Sequence, residues 1–169
     1  AYLKEIERVG AETSGRVLQT VFFGGGTPSL MAPELIDAIL TMVRDAWPIA
    51  NDVEITMEAN PGSVEVGRFR GYRDAGVNRV SVGVQALNDA DLKALGRLHS
   101  VEEAKAAVEI AQNTFDRVSF DLIYARQRQS LPEWRRELAE ALALASGHLS
   151  LYQLTIEDGT AFGDRFRRG

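Results

Sequence analysis

Five short runs rich in β-branched and aromatic residues, each parted from the next by a longer run with apolar residues three and four apart, constrain this chain most. The strand-like runs are residues 18–23, 53–58, 79–84, 118–123 and 149–156. Helical spacing occupies residues 33–46, 64–75, 90–95 with 101–113, and 131–145. Pro33 suits a first helical position, Gly76 and Gly147 follow helix ends, and Pro61-Gly62 breaks the chain after a strand. Two-residue hairpin signals are absent. With a helix between successive strands, the strands are expected to run parallel, with right-handed crossovers and the helices outside. Residues 1–10 read as part of an amphipathic helix with Leu3, Ile6 and Val9 on one side, which suggests a chain whose natural start lies further upstream. No linker or obvious repeat divides it, so residues 1–169 are expected to form one domain.

A closed barrel of eight βα units needs roughly 250 residues. The 169 residues here leave an open sheet or part of a barrel. Polar residues share one parity within the strands: Glu54, Thr56 and Glu58; Ser81, Gly83 and Gln85; Ser119 and Asp121; Gln153 and Thr155. The other parity is apolar, with Ile55 and Met57, then Val80, Val82 and Val84, then Val118, Phe120 and Leu122, then Leu154 and Ile156. Parallel sheets are usually covered on both faces, so a repeated polar face points to a lumen or cleft for a polar ligand. A plainly solvated face is the alternative.

Composition narrows the chemistry. Nineteen basic against 24 acidic side chains, a net charge of −5, give no basic surplus for nucleic acid. There is no cysteine, so this chain can supply no thiolate nucleophile, disulfide or thiolate metal ligand. With only His99 and His148, a histidine-built metal site is not expected either. Neither a membrane-spanning apolar run nor a signal-peptide pattern is visible, which makes the cytoplasm the expected location.

Four motifs could carry function. Gly24-Gly25-Gly26-Thr27-Pro28 ends the first strand, where residues without side chains let the backbone approach a ligand; a structural turn is the alternative. The spacing matches neither the dinucleotide fingerprint nor the P-loop. Glu58, in Met57-Glu58-Ala59-Asn60-Pro61-Gly62, stands at a strand's C-terminal end, where a carboxylate can accept from a ribose diol or merely cap a helix or pair with an Arg. Gln85 ends the next strand and Arg97 follows in Leu95-Gly96-Arg97-Leu98-His99, an amide and a cationic fork suited to a carboxylate. His99 reads as a packing or capping residue. Asp121 lies within an apolar strand and needs an Arg, a ligand or backbone donors nearby. Residues 152–160, from Tyr152 to Thr160, bring further polar groups to the same rim.

The ordered set VFFGGGTPSLM, ITMEANPG, GVNRVSVGVQALND, LGRLH, FDLIYA and LYQLTIEDGT resembles the radical S-adenosylmethionine proteins of the oxygen-independent coproporphyrinogen III oxidase family. FFGGGTPSL and LYQLTIEDGT are most similar to its oxidase-like branch of heme chaperones. The resemblance implies an α/β fold, a partial (β/α)6 barrel like a TIM barrel with parallel strands and outer helices, of which about five βα units are present here. It implies S-adenosylmethionine and, in the full-length protein only, a [4Fe–4S] cluster held by a Cys-x3-Cys-x2-Cys loop; that loop is not in this chain, nor is the family's first strand. Carried over by motif, Gly25 and Glu58 match the cluster-side cofactor site. Gly26, Thr27, Gln85, Arg97, Asp121 and Thr155 match positions around a second S-adenosylmethionine. No catalytic residue is expected in this chain, which alone should neither assemble a cluster nor cleave the cofactor.

The implied partners are heme or a porphyrinogen and a heme-receiving protein. A true oxidase of porphyrin synthesis, or an unrelated barrel binding a phosphorylated metabolite at Gly24–Thr27, are the competing readings. Two departures stand out. Family members often carry a Gly/Pro-rich loop where this chain has Ala125-Arg126-Gln127-Arg128-Gln129-Ser130, and Ala32 stands where a Ser or Thr would cap the following helix.

Overall fold

The computed structural model describes residues 2–63 and 66–168. Five parallel strands, β1 (Leu18–Phe23), β2 (Ile49–Ala59), β3 (Arg79–Gln85), β4 (Arg117–Tyr124) and β5 (His148–Gln153), form one sheet in chain order. The sheet curls into half a barrel, matching the expected α/β architecture. Between the strands lie α2 (Pro33–Ala46), α3 (Val66–Ala75), α4 (Asp89–Ala94) with α5 (Val101–Thr114), and α6 (Leu131–Leu144); α1 (Tyr2–Glu12) precedes β1 and α7 (Ala161–Arg168) follows β5. The expected helix start at residue 64 lies outside the described residues.

The apolar parity builds the core. Ile55, Met57, Val80, Val82, Phe120 and Leu122 are buried on the outer face of the sheet, against Ile36, Leu40, Phe69, Tyr72, Val108 and Phe115 of the flanking segments. Phe69 and Phe115 meet edge to face with centroids 5.4 Å apart. Ile6 and Val9 of α1 pack with Ile39, Val43 and Trp47, whereas Leu3 stays largely exposed. Ser100 with Glu103 and Ser130 with Glu133 form capping boxes that start α5 and α6.

Most boundaries shift from their expected positions by a single residue, and the larger differences have physical reasons. β2 begins at Ile49 rather than residue 53, because an irregularity in its pairing with β1 absorbs Asn51 and Asp52, residues that read as loop. β5 stops at Gln153, three residues short of expectation. Its parity is also corrected: Ser150 pairs with Asp121 and Tyr152 with Ile123, so Ser150 and Tyr152 share the polar face, while Gln153 follows Leu149 and Leu151 on the other. The alternation in His-Leu-Ser-Leu-Tyr-Gln carried that signal. α7 escaped the sequence reading because its eight residues, Ala161 to Arg168, include three arginines and a glycine.

At the N-terminal end of the polar face, Glu54 accepts from Arg79 Nη1 at 2.8 Å and from Arg117 Nη1 at 3.1 Å. Hydrogen bonding to Arg79 is the main cause holding its carboxyl below the ordinary range. This ion-paired floor leaves the C-terminal end of the same face as the place for a ligand.

Candidate functional site

The C-terminal ends of the strands surround an open cleft of about 210 Å³. Its walls bring together Gly26, Thr27, Glu58, Gln85, Arg97 and Asp121, six of the eight residues singled out from sequence. Gly25 stands beside them. Thr155 lies beyond the end of β5, exposed and not in the cleft wall, and Tyr152 takes the place on β5 instead. Asn60, Ser81 and Gly83 also line the wall.

The glycine loop is held from both ends. Gly25 and Gly26 adopt φ of +81° and +61°, left-handed values that glycine meets without a Cβ penalty. A Cβ at Gly24 would stand 2.6 Å from the Phe22 ring and 3.3 Å from Glu58 Oε2, so the glycine permits a close approach. The Gly25 N–H donates to Glu58 Oε2 at 3.2 Å. Behind the loop, Pro28–Leu30 forms a 3-10 turn, and the Tyr72 hydroxyl donates to the carbonyls of Ser29 at 2.9 Å and Met31 at 2.6 Å. A buried tyrosine on α3 thus fixes where the loop presents its backbone.

Glu58, next to last in β2, lies opposite Ser81 of β3 and keeps acceptor capacity toward the cleft. Across the cleft, Arg97 Nη2 donates to Gln85 Oε1 at 2.9 Å, and Gln85 Nε2 donates to Asp121 Oδ2. Arg97 is aimed by the end of α4: its N–H bonds Leu92 O at 2.9 Å and that of Gly96 bonds Lys93 O at 3.0 Å, a Schellman arrangement with Gly96 at φ +74°. Asp121 Oδ1 is buried with no hydrogen-bond partner. Burial pushes the Asp121 carboxyl up to about 6, against the pull of its own backbone N–H, of Gln85 and of Arg97. His99 is buried with Nε2 3.1 Å from Val84 O, the packing role expected of it.

Chemically, the cleft offers carboxylate acceptors on two sides, a fixed guanidinium, and glycine backbone that nothing shields: a Cβ at Gly25 or Gly26 would meet no atom within 4 Å. That donor and acceptor set suits a small polar molecule carrying hydroxyl, amine and carboxylate groups.

Residues 2–159 match the Radical SAM superfamily, and the chain belongs to it. It is 46% identical over 164 residues to the heme chaperone HemW of Escherichia coli strain K12, an alignment covering 96% of this chain and 43% of that protein. Over 155 residues it is 42% identical to "Radical S-adenosyl methionine domain-containing protein 1, mitochondrial" of Bos taurus, covering 91% of this chain and 35% of that one. Among solved structures it superposes on coproporphyrinogen III oxidase (HemN) from Escherichia coli, a radical SAM enzyme, with a TM-score of 0.82 and 25% identity over 92% of this chain and 36% of that one. The chain therefore spans less than half the length of these relatives.

The superfamily works with S-adenosylmethionine and a [4Fe–4S] cluster. The cleft's unpartnered Asp121 Oδ1 and its bare glycine backbone fit the polar parts of the cofactor. The cluster is a different matter: the sequence has no cysteine, and no group of three metal-ligating side chains occurs among the described residues. This chain's residues do not fit as cluster ligands.

Proposed function

We propose that this domain binds S-adenosylmethionine along its concave rim and forms the radical SAM core of a heme chaperone, a protein that binds heme and hands it to a receiving protein. The observation that carries the reading is the convergence of Glu58, Gly25, Gln85, Arg97 and Asp121 on one cleft, in a chain 46% identical to a protein named heme chaperone. Residues 1–169 then act as one domain of a larger protein.

Each residue has a role in this reading. Glu58 accepts from the ribose diol, while the Gly25 and Gly26 backbone approaches the cofactor closely. Arg97 meets a carboxylate through its fork and is oriented by Gln85, whose amide Asp121 holds in the cleft wall. Thr27 adds a hydroxyl, and Thr155 contributes only if the segment after β5 folds back over the rim. The cofactor, when bound with a cluster, supplies reductive cleavage of its sulfonium, and the protein's part is binding, orientation and electrostatics.

The test uses the protein that carries this domain. Calorimetry with S-adenosylmethionine should show at least a tenfold weaker affinity for Glu58→Ala, about 1.4 kcal/mol, as expected for a lost pair of charge-assisted hydrogen bonds. Unchanged affinity would overturn the assignment. Absorbance titration with heme separates the chaperone from the oxidase: heme binding without turnover of coproporphyrinogen III supports the chaperone, and turnover supports the oxidase. Fractionation tests the cytoplasmic location that belongs to this reading; among the described residues no helix is long and apolar enough to cross a membrane.

A further inference from the structure

A second buried polar cluster lies behind the rim, on the side covered by α6, and the cleft chemistry does not use it. Glu137 and Arg126 are both buried there, and each departs from its surroundings. Glu137 stands on the apolar stripe of α6 between Trp134 and Ala141, and Arg126 is buried although it belongs to the charged segment, residues 125–130, that joins β4 to α6.

The cluster reaches the cleft through three residues. Gln85 has φ +72°, and the Ala86 N–H donates to Val84 O at 2.9 Å, closing a three-residue turn of the positive-φ kind. Such a turn is strained for a residue with a side chain and persists only when its surroundings hold it. Two contacts hold it here. His99 Nε2 lies 3.1 Å from Val84 O, and the Leu87 N–H donates to Glu137 Oε1 at 2.7 Å. Glu137 Oε2 in turn accepts from Arg126 Nη2 at 2.6 Å and Gln129 Nε2 at 3.2 Å. Arg126 is tied further to Asp91 Oδ2 at 2.7 Å and to Ile123 O at 2.5 Å.

We propose that Glu137, oriented by Arg126, is a positioning residue that holds the strained Gln85 turn and so keeps the Gln85 amide between Arg97 and Asp121. A carboxylate is needed because both oxygens are acceptors: one serves Leu87 and the other serves Arg126 and Gln129. A glutamine offers a single acceptor oxygen and must give up one side. This inference rests on the proposal that Gln85 and Asp121 belong to the binding site. It is read in the ligand-free chain, so its failure leaves the identity of the ligand untouched.

Asp121 is the reporter, because Gln85 donates to it and the other titratable groups along the cleft wall are Glu58, Arg97 and Tyr152. Carbon-13 NMR of the Asp121 carboxyl is followed with pH in three chains: unsubstituted, Glu137→Gln, and Glu137→Gln with Arg126→Met. In Glu137→Gln the Gln85 contact loosens and the titration midpoint rises by about half a pH unit or more. In the double variant, with no guanidinium competing, the amide oxygen returns to Leu87 and the midpoint returns to that of the unsubstituted chain. A purely structural role lowers the melting temperature of Glu137→Gln and leaves the midpoint where it was, which overturns the proposal; so does a double variant that fails to restore it. Amide exchange in the unsubstituted chain gives an independent measure. The Leu87 N–H should exchange as slowly as that of Val82 in β3, and exchange as fast as in fully exposed Leu98 contradicts the anchor.

Discussion

Asp121→Asn isolates the energetic consequence of placing a carboxyl in the cleft wall. In the folded chain this group is raised from an ordinary 3.8 to about 6, with burial the main cause. A carboxyl raised by folding binds more protons in the native than in the unfolded state between those two values. The stability it contributes is therefore fully present below pH 4 or so and is lost as pH rises through about 6. At about 1.4 kcal/mol per pH unit the whole effect is about 3 kcal/mol, reduced to about 2 kcal/mol by water in the open cleft. Asparagine keeps an oxygen for Gln85 and carries no charge. The variant should match the parent chain at pH 4 and exceed its stability by about 2 kcal/mol at pH 7.5, with the difference appearing between pH 4 and 6. Urea unfolding of both chains across that range reads this directly: with a slope of about 2 kcal/mol per molar, the midpoints separate by about 1 M at pH 7.5. A difference that stays constant from pH 4 to 7.5 would falsify the claim that Asp121 is held in a desolvated wall.

Two further outcomes test the scaffold. Ala32 precedes α2 with extended backbone, φ −67° and ψ 141°, and makes no side-chain cap. Ala32→Ser should raise stability by about 0.5–1 kcal/mol in the same urea assay, and no gain would mean that the turn after β1 already satisfies the helix start. Phe120 of β4 is 1% exposed on the outer face of the sheet. Phe120→Ala should cost about 3–5 kcal/mol, and a loss under about 1 kcal/mol would contradict the placement of the core on that face.

The sequence carried the architecture because its strongest signals were local and periodic. Leu18–Phe23 and Pro33–Ala46 have the bounds read from apolar spacing and from Pro33. The polar parity of β2, β3 and β4 became the concave face, where the pairing of Glu58 with Ser81 and Ser81 with Ser119 aligns it across strands. What stayed illegible depends on partners distant in sequence. Asn51 and Asp52 look like loop residues until a neighbouring strand absorbs them in an irregular pairing. The polar character of Gln153 and Thr155 points to the wrong face of β5, although the alternation of Leu149 and Leu151 with Ser150 and Tyr152 fixes the opposite parity. The positive φ of Gln85 has no local signature at all, since no glycine or asparagine announces it. Arg126 and Glu137 give only an indirect sign, an acidic residue on the apolar stripe of one helix and an arginine in the charged segment before it. Their 2.6 Å contact is a product of the fold.

The central claim, that the concave rim takes S-adenosylmethionine rather than a phosphate compound, is open to one direct measurement. Backbone and methyl NMR shifts of the chain are followed while S-adenosylmethionine and, separately, inorganic phosphate are added. S-adenosylmethionine should move Gly25, Gly26, Glu58, Gln85 and Asp121 together, with phosphate leaving them still. Shifts in residues 24–27 on adding phosphate, with no response to S-adenosylmethionine at Glu58 and Asp121, would contradict the account.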